Sequence, residues 1–149
     1  MNSNITGRVS TEINAPASKV WKALTTPSLI KKYFFGTNAN SDWQVGSPIV
    51  FKGEWQGKQY EDKGTILAVE PKKLFRYTYW SSMSGIEEKP ENYATITYEL
   101  VPTNDGTKLT IIQENIPDQK MKEHSEQNWN KVLGGLKKML EGNLAKIEP

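Results

Sequence analysis

No cysteine occurs in the 149 residues, which excludes disulfides, thiol nucleophiles and thiolate metal sites together. Histidine is nearly absent too. With His124 alone, a zinc site would have to be built mostly from carboxylates, against that ion's usual ligand set, so neither a metal nor another cofactor is expected. Arginine is scarce: Arg8 and Arg76 are two of 19 basic residues, and the formal net charge is only +2. Nucleic-acid surfaces favour clustered guanidinium groups, which match phosphate and base edges. The lysines here are scattered, and no nucleic-acid partner is expected. No apolar run approaches membrane-spanning length, and Met1 to Ile13 lacks the apolar core of a secretory signal. No membrane span and a cytoplasmic location are the expectation.

What remains is the composition of one globular domain over residues 1–149, 36% hydrophobic and with Trp 5, Tyr 6 and Phe 4. Its longest patterned stretch is the last, Pro117 to Leu144. From Trp129 onward Val132, Leu133, Leu136, Met139, Leu140 and Leu144 form a helical stripe, with Lys131, Lys137, Lys138 and Glu141 opposite. Gly134 and Gly135 interrupt it at about 1 kcal/mol each relative to alanine, which fits either close packing or space left for a ligand.

Upstream, Ile5 to Ile13 alternates as a half-buried strand. Pro16 suits a first helical position, and a helix carrying Val20, Trp21 and Leu24 closes before Pro27. Ser28 is placed to cap a second short helix, Leu29 to Tyr33. Strands follow with no helices between them: Asn38 to Gln44, Ile49 to Trp55, Tyr60 to Glu70 with a bulge near Ile66 to Val69, Leu74 to Trp80, Tyr93 to Val101 and Thr107 to Asn115. Gln56-Gly57-Lys58 and Asn104-Asp105-Gly106 read as tight turns. The fold class is α+β: a curved antiparallel sheet of about six to seven strands gripping a long C-terminal helix, with two short helices after strand one.

That order, with particular residues, resembles the START-like, birch-allergen-like helix-grip superfamily. Within it the chain is similar to the branch named for homology to the activator of the heat-shock protein 90 ATPase. The residues that carry the likeness are Ile13-Asn14-Ala15-Pro16-Ala17-Ser18-Lys19-Val20-Trp21-Lys22-Ala23-Leu24-Thr25, Trp43-Gln44-Val45-Gly46, Gly64 to Pro71, Leu74, Gly106 to Thr110 and the Trp129 to Leu140 helix. The resemblance implies a cavity between sheet and terminal helix. It speaks weakly for function, because such folds host ligand carriers, cyclases and chaperone partners alike. Where many of those relatives carry a histidine near the end of the last strand, this chain has Gln113-Glu114-Asn115.

The inward aromatics Phe51, Trp55, Phe75, Tyr77, Tyr79, Tyr98 and Trp129 are each explained by core packing. As a set, their hydroxyl and N–H groups need partners when buried, and Gln113 joins their face. An apolar cavity with a few polar groups is what a small-molecule site requires. The candidate ligand-binding residues are therefore Phe35, Phe51, Trp55, Phe75, Tyr77, Tyr79, Tyr98, Gln113, Trp129, Leu133 and Leu136. No residue is assigned a catalytic role. Glu54, Glu61, Asp62, Glu99 and Glu114 lie on strands or their ends, where most should point to solvent, and His124 sits among charged neighbours like a surface histidine. The 81–92 stretch, with Met83 and Ile86, is either a solvated connection or a cover for the cavity mouth. The leading expectation is a non-enzymatic protein that binds a small hydrophobic or aromatic molecule. The alternatives are a protein that associates with a chaperone ATPase, and a cyclase- or hydrolase-like enzyme using the same cavity.

Overall fold

The computed structural model describes residues 5–34, 36–82 and 85–147, the side chains of Trp55 and of residues 142–147 excepted. The chain runs β1 (Ile5–Ile13), α1 (Ala17–Thr25), α2 (Pro27–Tyr33), β2 (Asn38–Ser41), β3 (Pro48–Trp55), β4 (Lys58–Glu70), β5 (Leu74–Ser81), a 3-10 turn (Pro90–Asn92), β6 (Ala94–Pro102), β7 (Thr107–Ile116) and α3 (Gln119–Ile147). Seven strands form one open antiparallel sheet in the order β1-β7-β6-β5-β4-β3-β2. Strands β2 to β7 make a meander of sequential neighbours, and β1 joins it by pairing with β7.

Local chemistry explains the element boundaries. Thr26 is extended, with φ −119°, and serves both as the C-cap of α1 and the N-cap of α2. Pro27 takes the first position of α2, where its fixed φ and missing N–H cost nothing. Ser28 therefore lies inside that helix and does not cap it. Pro16, expected at the first helical position, is instead the N-cap of α1, and Ala17 begins the helix. Gln56 and Gly57, at φ 50° and 81°, form the two-residue turn between β3 and β4 that matches strand twist. The register of β4 against β5 shifts between Ile66 and Ala68, the bulge anticipated there. Asp118 accepts the Met121 N–H at 2.8 Å and caps α3.

The core is a layer of side chains between the sheet and the helices. Tyr77, Phe75, Ile96, Leu109 and Ile111 from the sheet are fully buried with Leu136 of α3 and Val20 of α1. Trp21 and Trp43 each set a ring against Phe75, with centroids 6.2 and 5.9 Å apart. Tyr33 donates to the Ala23 carbonyl at 2.9 Å and joins α2 to α1. Helix α3 lies along β1, where Glu126 accepts the Arg8 N–H at 3.0 Å, Glu141 accepts the Asn14 N–H at 2.9 Å and Lys137 donates to the Glu12 carbonyl. Gly135 is where α3 passes α2: a Cβ there would meet Tyr33 atoms at 3.4 to 3.6 Å, an ordinary contact. Gly134 faces open space. Neither glycine borders the cleft described next, so the helix pattern is interrupted by packing on one side and solvent on the other. Among the described residues no helix is long and apolar enough to cross a membrane.

Candidate functional site

The stripe of α3 that is apolar from Trp129 onward is polar before it. Ser125 and Asn128 occupy the same helical face as Val132, two turns and one turn earlier respectively. Such residues gain nothing from packing on an apolar sheet, and there the layer between helix and sheet opens into a cleft of about 500 Å³. That is the size of a pocket for a small molecule. Phe34, Tyr60, Tyr79, Trp129 and Val132 supply its apolar surface, and Thr37, Asp62, Ser81, Gln113 and Asn128 its polar groups.

Each wall is fixed by contacts behind it. Trp129 is only 8% exposed; its ring meets Phe34 and Tyr98 edge-on at 5.8 and 6.1 Å, and its indole N–H donates to Gln113 Oε1 at 2.8 Å. That bond spends the amide oxygen of Gln113 and leaves its NH2 group as a donor on the cleft side. Phe34 stacks on Phe51 with centroids 5.8 Å apart. The Tyr60 ring covers Gly53, where any Cβ would overlap its hydroxyl, and that hydroxyl shares a 2.5 Å hydrogen bond with the buried Thr37.

The cleft's electrostatic feature is Asp62. On β4 it lies opposite Phe51 on one side and Ser81 on the other, and it is 6% exposed. Tyr79 donates its hydroxyl to Asp62 Oδ2 at 2.5 Å, while Oδ1 has no hydrogen-bond partner. Burial raises the Asp62 carboxyl above its ordinary value, opposed by the nearby Ser81 and Tyr79 hydroxyls and the Ser82 N–H. These groups lower the value, yet Oδ1 itself has no hydrogen-bond partner. Burial, and then the adjacent carboxylate, push the Tyr79 hydroxyl well above its ordinary value and keep it a donor. Behind this pair, Tyr77 and Tyr98 share a 2.7 Å hydrogen bond in the core.

The residues nominated from sequence separate into two groups. Tyr79, Gln113 and Trp129 meet at the cleft. Phe51, Phe75, Tyr77 and Tyr98 instead close around an internal void of about 10 Å³, space for one water, and fill the centre of the layer. Leu133 and Leu136 are buried at 2% and 0% exposure and line neither space. Phe35 and the Trp55 side chain lie outside the described residues, as does Met83. Glu114 is exposed and away from the cleft, whereas His124 is exposed on its rim. From the 81–92 stretch Ser81 lines the cleft, and the loop is tied down by Trp80 Nε1 to the Ile86 carbonyl at 2.9 Å and by the Lys63–Glu88 ion pair at 2.9 Å. Thr37, Tyr60 and Asp62 were not nominated. Among the described residues no three His, Cys, Asp or Glu side chains converge as a metal site would require.

Comparison with known proteins follows the same lines. The family described as "Activator of Hsp90 ATPase homolog 1-like protein" matches residues 14–141. The solution structure of ChR145 from Cytophaga hutchinsonii is similar at 46% identity and a TM-score of 0.82, covering 97% of this chain and 99% of that one. The crystal structure of MLL2253 from Mesorhizobium loti is similar at 27% identity and a TM-score of 0.76, over 92% and 97%. The Aha1 dimer from Colwellia psychrerythraea, at 21% identity and a TM-score of 0.74 over 92% of this chain and 96% of that one, shares the fold. No curated protein sequence matches the chain.

Proposed function

The chain belongs to the activator of Hsp90 ATPase homolog 1-like family, and from that starting point we propose that it binds a small hydrophobic or aromatic molecule, without transforming it, in the cleft between α3, β4 and β5. The observation that carries this reading is the cleft itself: about 500 Å³, lined by the rings of Phe34, Tyr60, Tyr79 and Trp129 together with a few fixed polar groups. Burial of apolar surface, at about 25 cal/mol per Å², drives binding, and the Gln113 amide, the Tyr60 hydroxyl and Asp62 orient the guest. Tyr79, Gln113 and Trp129, expected from the sequence, line the cleft and are the contacts proposed for the ligand.

Catalysis is the second reading, because a buried carboxyl with a raised pKa in a cleft is a frequent mark of an active site. Against it, the hydrogen-bond partner of Asp62 is a phenol held protonated by its surroundings, so no nucleophile–base pair is assembled there. A chaperone ATPase partner is supported by the family's description alone.

The deciding experiment is a titration with a panel of one- and two-ring aromatics, followed by amide NMR shifts and thermal unfolding. Saturation at a hundred times Kd adds about 2.7 kcal/mol of stability, roughly 5–10 °C for a chain of this length. Shifts confined to Trp129, Gln113, Tyr79 and their neighbours support binding. Silence across the panel sinks it, and turnover of a bound compound that disappears in Asp62→Asn replaces it with the catalytic reading.

A further inference from the structure

Asp62 is costly where it stands. A carboxylate has about four lone-pair directions to satisfy, two on each oxygen, and at 6% exposure the Oδ2 of this one accepts the Tyr79 hydroxyl. Its other oxygen is buried without a partner. Buried polar atoms are almost always paired, and one left unpaired in a binding cleft points to a partner that arrives from outside. The neighbours do not fill the place: Tyr60 is engaged with Thr37, and Gln113 with Trp129, across the same cleft.

The ring system around Asp62 restricts what the visitor can be. Phe51, opposite it on β3, sets its ring 6.1 Å from that of Tyr79, and Phe34 stacks behind Phe51 at 5.8 Å. A partner for the carboxylate must therefore be carried on an apolar, flat body. We propose that the ligand of this cleft is an aromatic molecule bearing a hydrogen-bond donor at one edge, an aryl hydroxyl in the simplest case, which the Asp62 carboxylate accepts while Tyr79 holds that carboxylate in place. A turn of the carboxyl about its last torsion presents an oxygen to the cleft, with Tyr79 following through its hydrogen bond. Gln113 of β7, whose amide oxygen is held by Trp129 of α3, also lines the cleft, and its NH2 group matches an acceptor at the ligand's far edge. This assignment rests on the binding reading above and adds to it the polarity of the recognised group.

The test uses a matched pair, a naphthol and the corresponding methoxynaphthalene, which differ in whether the ring oxygen carries a hydrogen. Affinities for the full chain are measured by calorimetry and by NMR titration. Wild type should bind the naphthol about tenfold tighter, the scale of one hydrogen bond to a charged acceptor. Asp62→Asn keeps an oxygen for Tyr79 and turns an NH2 group toward the guest, so the order should reverse. Asp62→Leu should leave the two probes within about twofold of each other. If wild type binds both equally, or prefers the ether, the donor assignment is overturned while the cleft remains a binding site. If neither probe shifts any cleft residue, the binding reading falls and this one with it.

Discussion

Replacing Gly64 with alanine adds one methyl group, and the structure makes it one of the most damaging places in the sheet to do so. Gly64 lies on β4 between the Lys63–Trp80 and Ile66–Tyr77 pairs with β5. A Cβ built there overlaps the Thr78 carbonyl of β5, far inside the 3.0 Å that real Cβ contacts respect, and it meets Thr78 Oγ1 at 3.1 Å. The obstacle is main chain and cannot rotate away. To admit the methyl group the two strands must part locally by roughly an ångström, an overpacking strain of about 1–3 kcal/mol. The same movement breaks the bond from the Thr65 N–H to Thr78 Oγ1, now 2.8 Å, for about another 1 kcal/mol. Alanine returns only about 0.4–1 kcal/mol by restricting the unfolded chain. The net expectation is a loss of about 2–3 kcal/mol in urea unfolding, with the slope unchanged. Because Tyr79 is the next inward residue on β5, its bond to Asp62 should loosen as well, visible as altered shifts of both residues in the folded variant. The internal control is Gly134→Ala. Nothing lies within 4 Å of the added methyl group and the site is mid-helix, so stability should rise by about 1 kcal/mol. Equal effects at the two positions, or a Gly64→Ala loss under about 0.5 kcal/mol, would refute the close approach of β4 and β5.

Other expectations follow from the buried polar groups. Because burial raises the Asp62 carboxyl in the folded chain, its contribution to stability is complete below the ordinary aspartate range near about 3.9 and is lost as pH rises through the raised value. Asp62→Asn, which does not titrate, should therefore gain on wild type as pH climbs from about 3.5 to 8, measured as urea midpoints; a flat or falling difference contradicts this. Tyr77→Phe and Tyr98→Phe each strand the other's buried hydroxyl and should cost about 1–3 kcal/mol, whereas the double variant should cost clearly less than both together in a double-mutant cycle. Trp129→Phe removes the donor to Gln113 while keeping a ring in place; it should lower stability by about 1–2 kcal/mol and weaken aromatic ligands severalfold in the same titration.

The architecture was legible because its signals are local. Alternation marked the strands, Gln56-Gly57 and Asp105-Gly106 marked turns, and the stripe after Trp129 marked the helix that covers the sheet. The site was only partly legible, and Asp62 shows why. Counted back in twos from the partly buried Val69, which packs on the core, the inward positions of β4 are 67, 65, 63 and 61, and Asp62 points to solvent. The bulge between Ile66 and Ala68 changes that phase, so Tyr60, Asp62, Gly64 and Ile66 share the inner face instead. Counting from Ile66 would have found Asp62, but which count applies depends on pairing with β5, a long-range fact. The aromatic candidates failed to separate for a related reason. Phe51, Phe75, Tyr77 and Tyr79 share one face by alternation, and only the position of α3 above that face decides which are sealed and which are left beside an opening.

The seat of α3 has a further consequence, for what the chain does in the company of its own copies. Strand β1 is a sheet edge: β7 occupies one side of it, and the groups along the other would otherwise be free to recruit a foreign strand. Glu126 holds the Arg8 N–H on that side, Lys137 the Glu12 carbonyl, and Glu141 the Asn14 N–H just past the strand's end. The helix thus acts as a chaperone in cis for the edge it lies along. Lifting α3 would convert a covered sheet edge into a template for strand addition before a single ladder bond had broken. Substitutions at Glu126, Lys137 and Glu141 together should thus register first as concentration-dependent self-association, with the thermal midpoint of the isolated chain moving little.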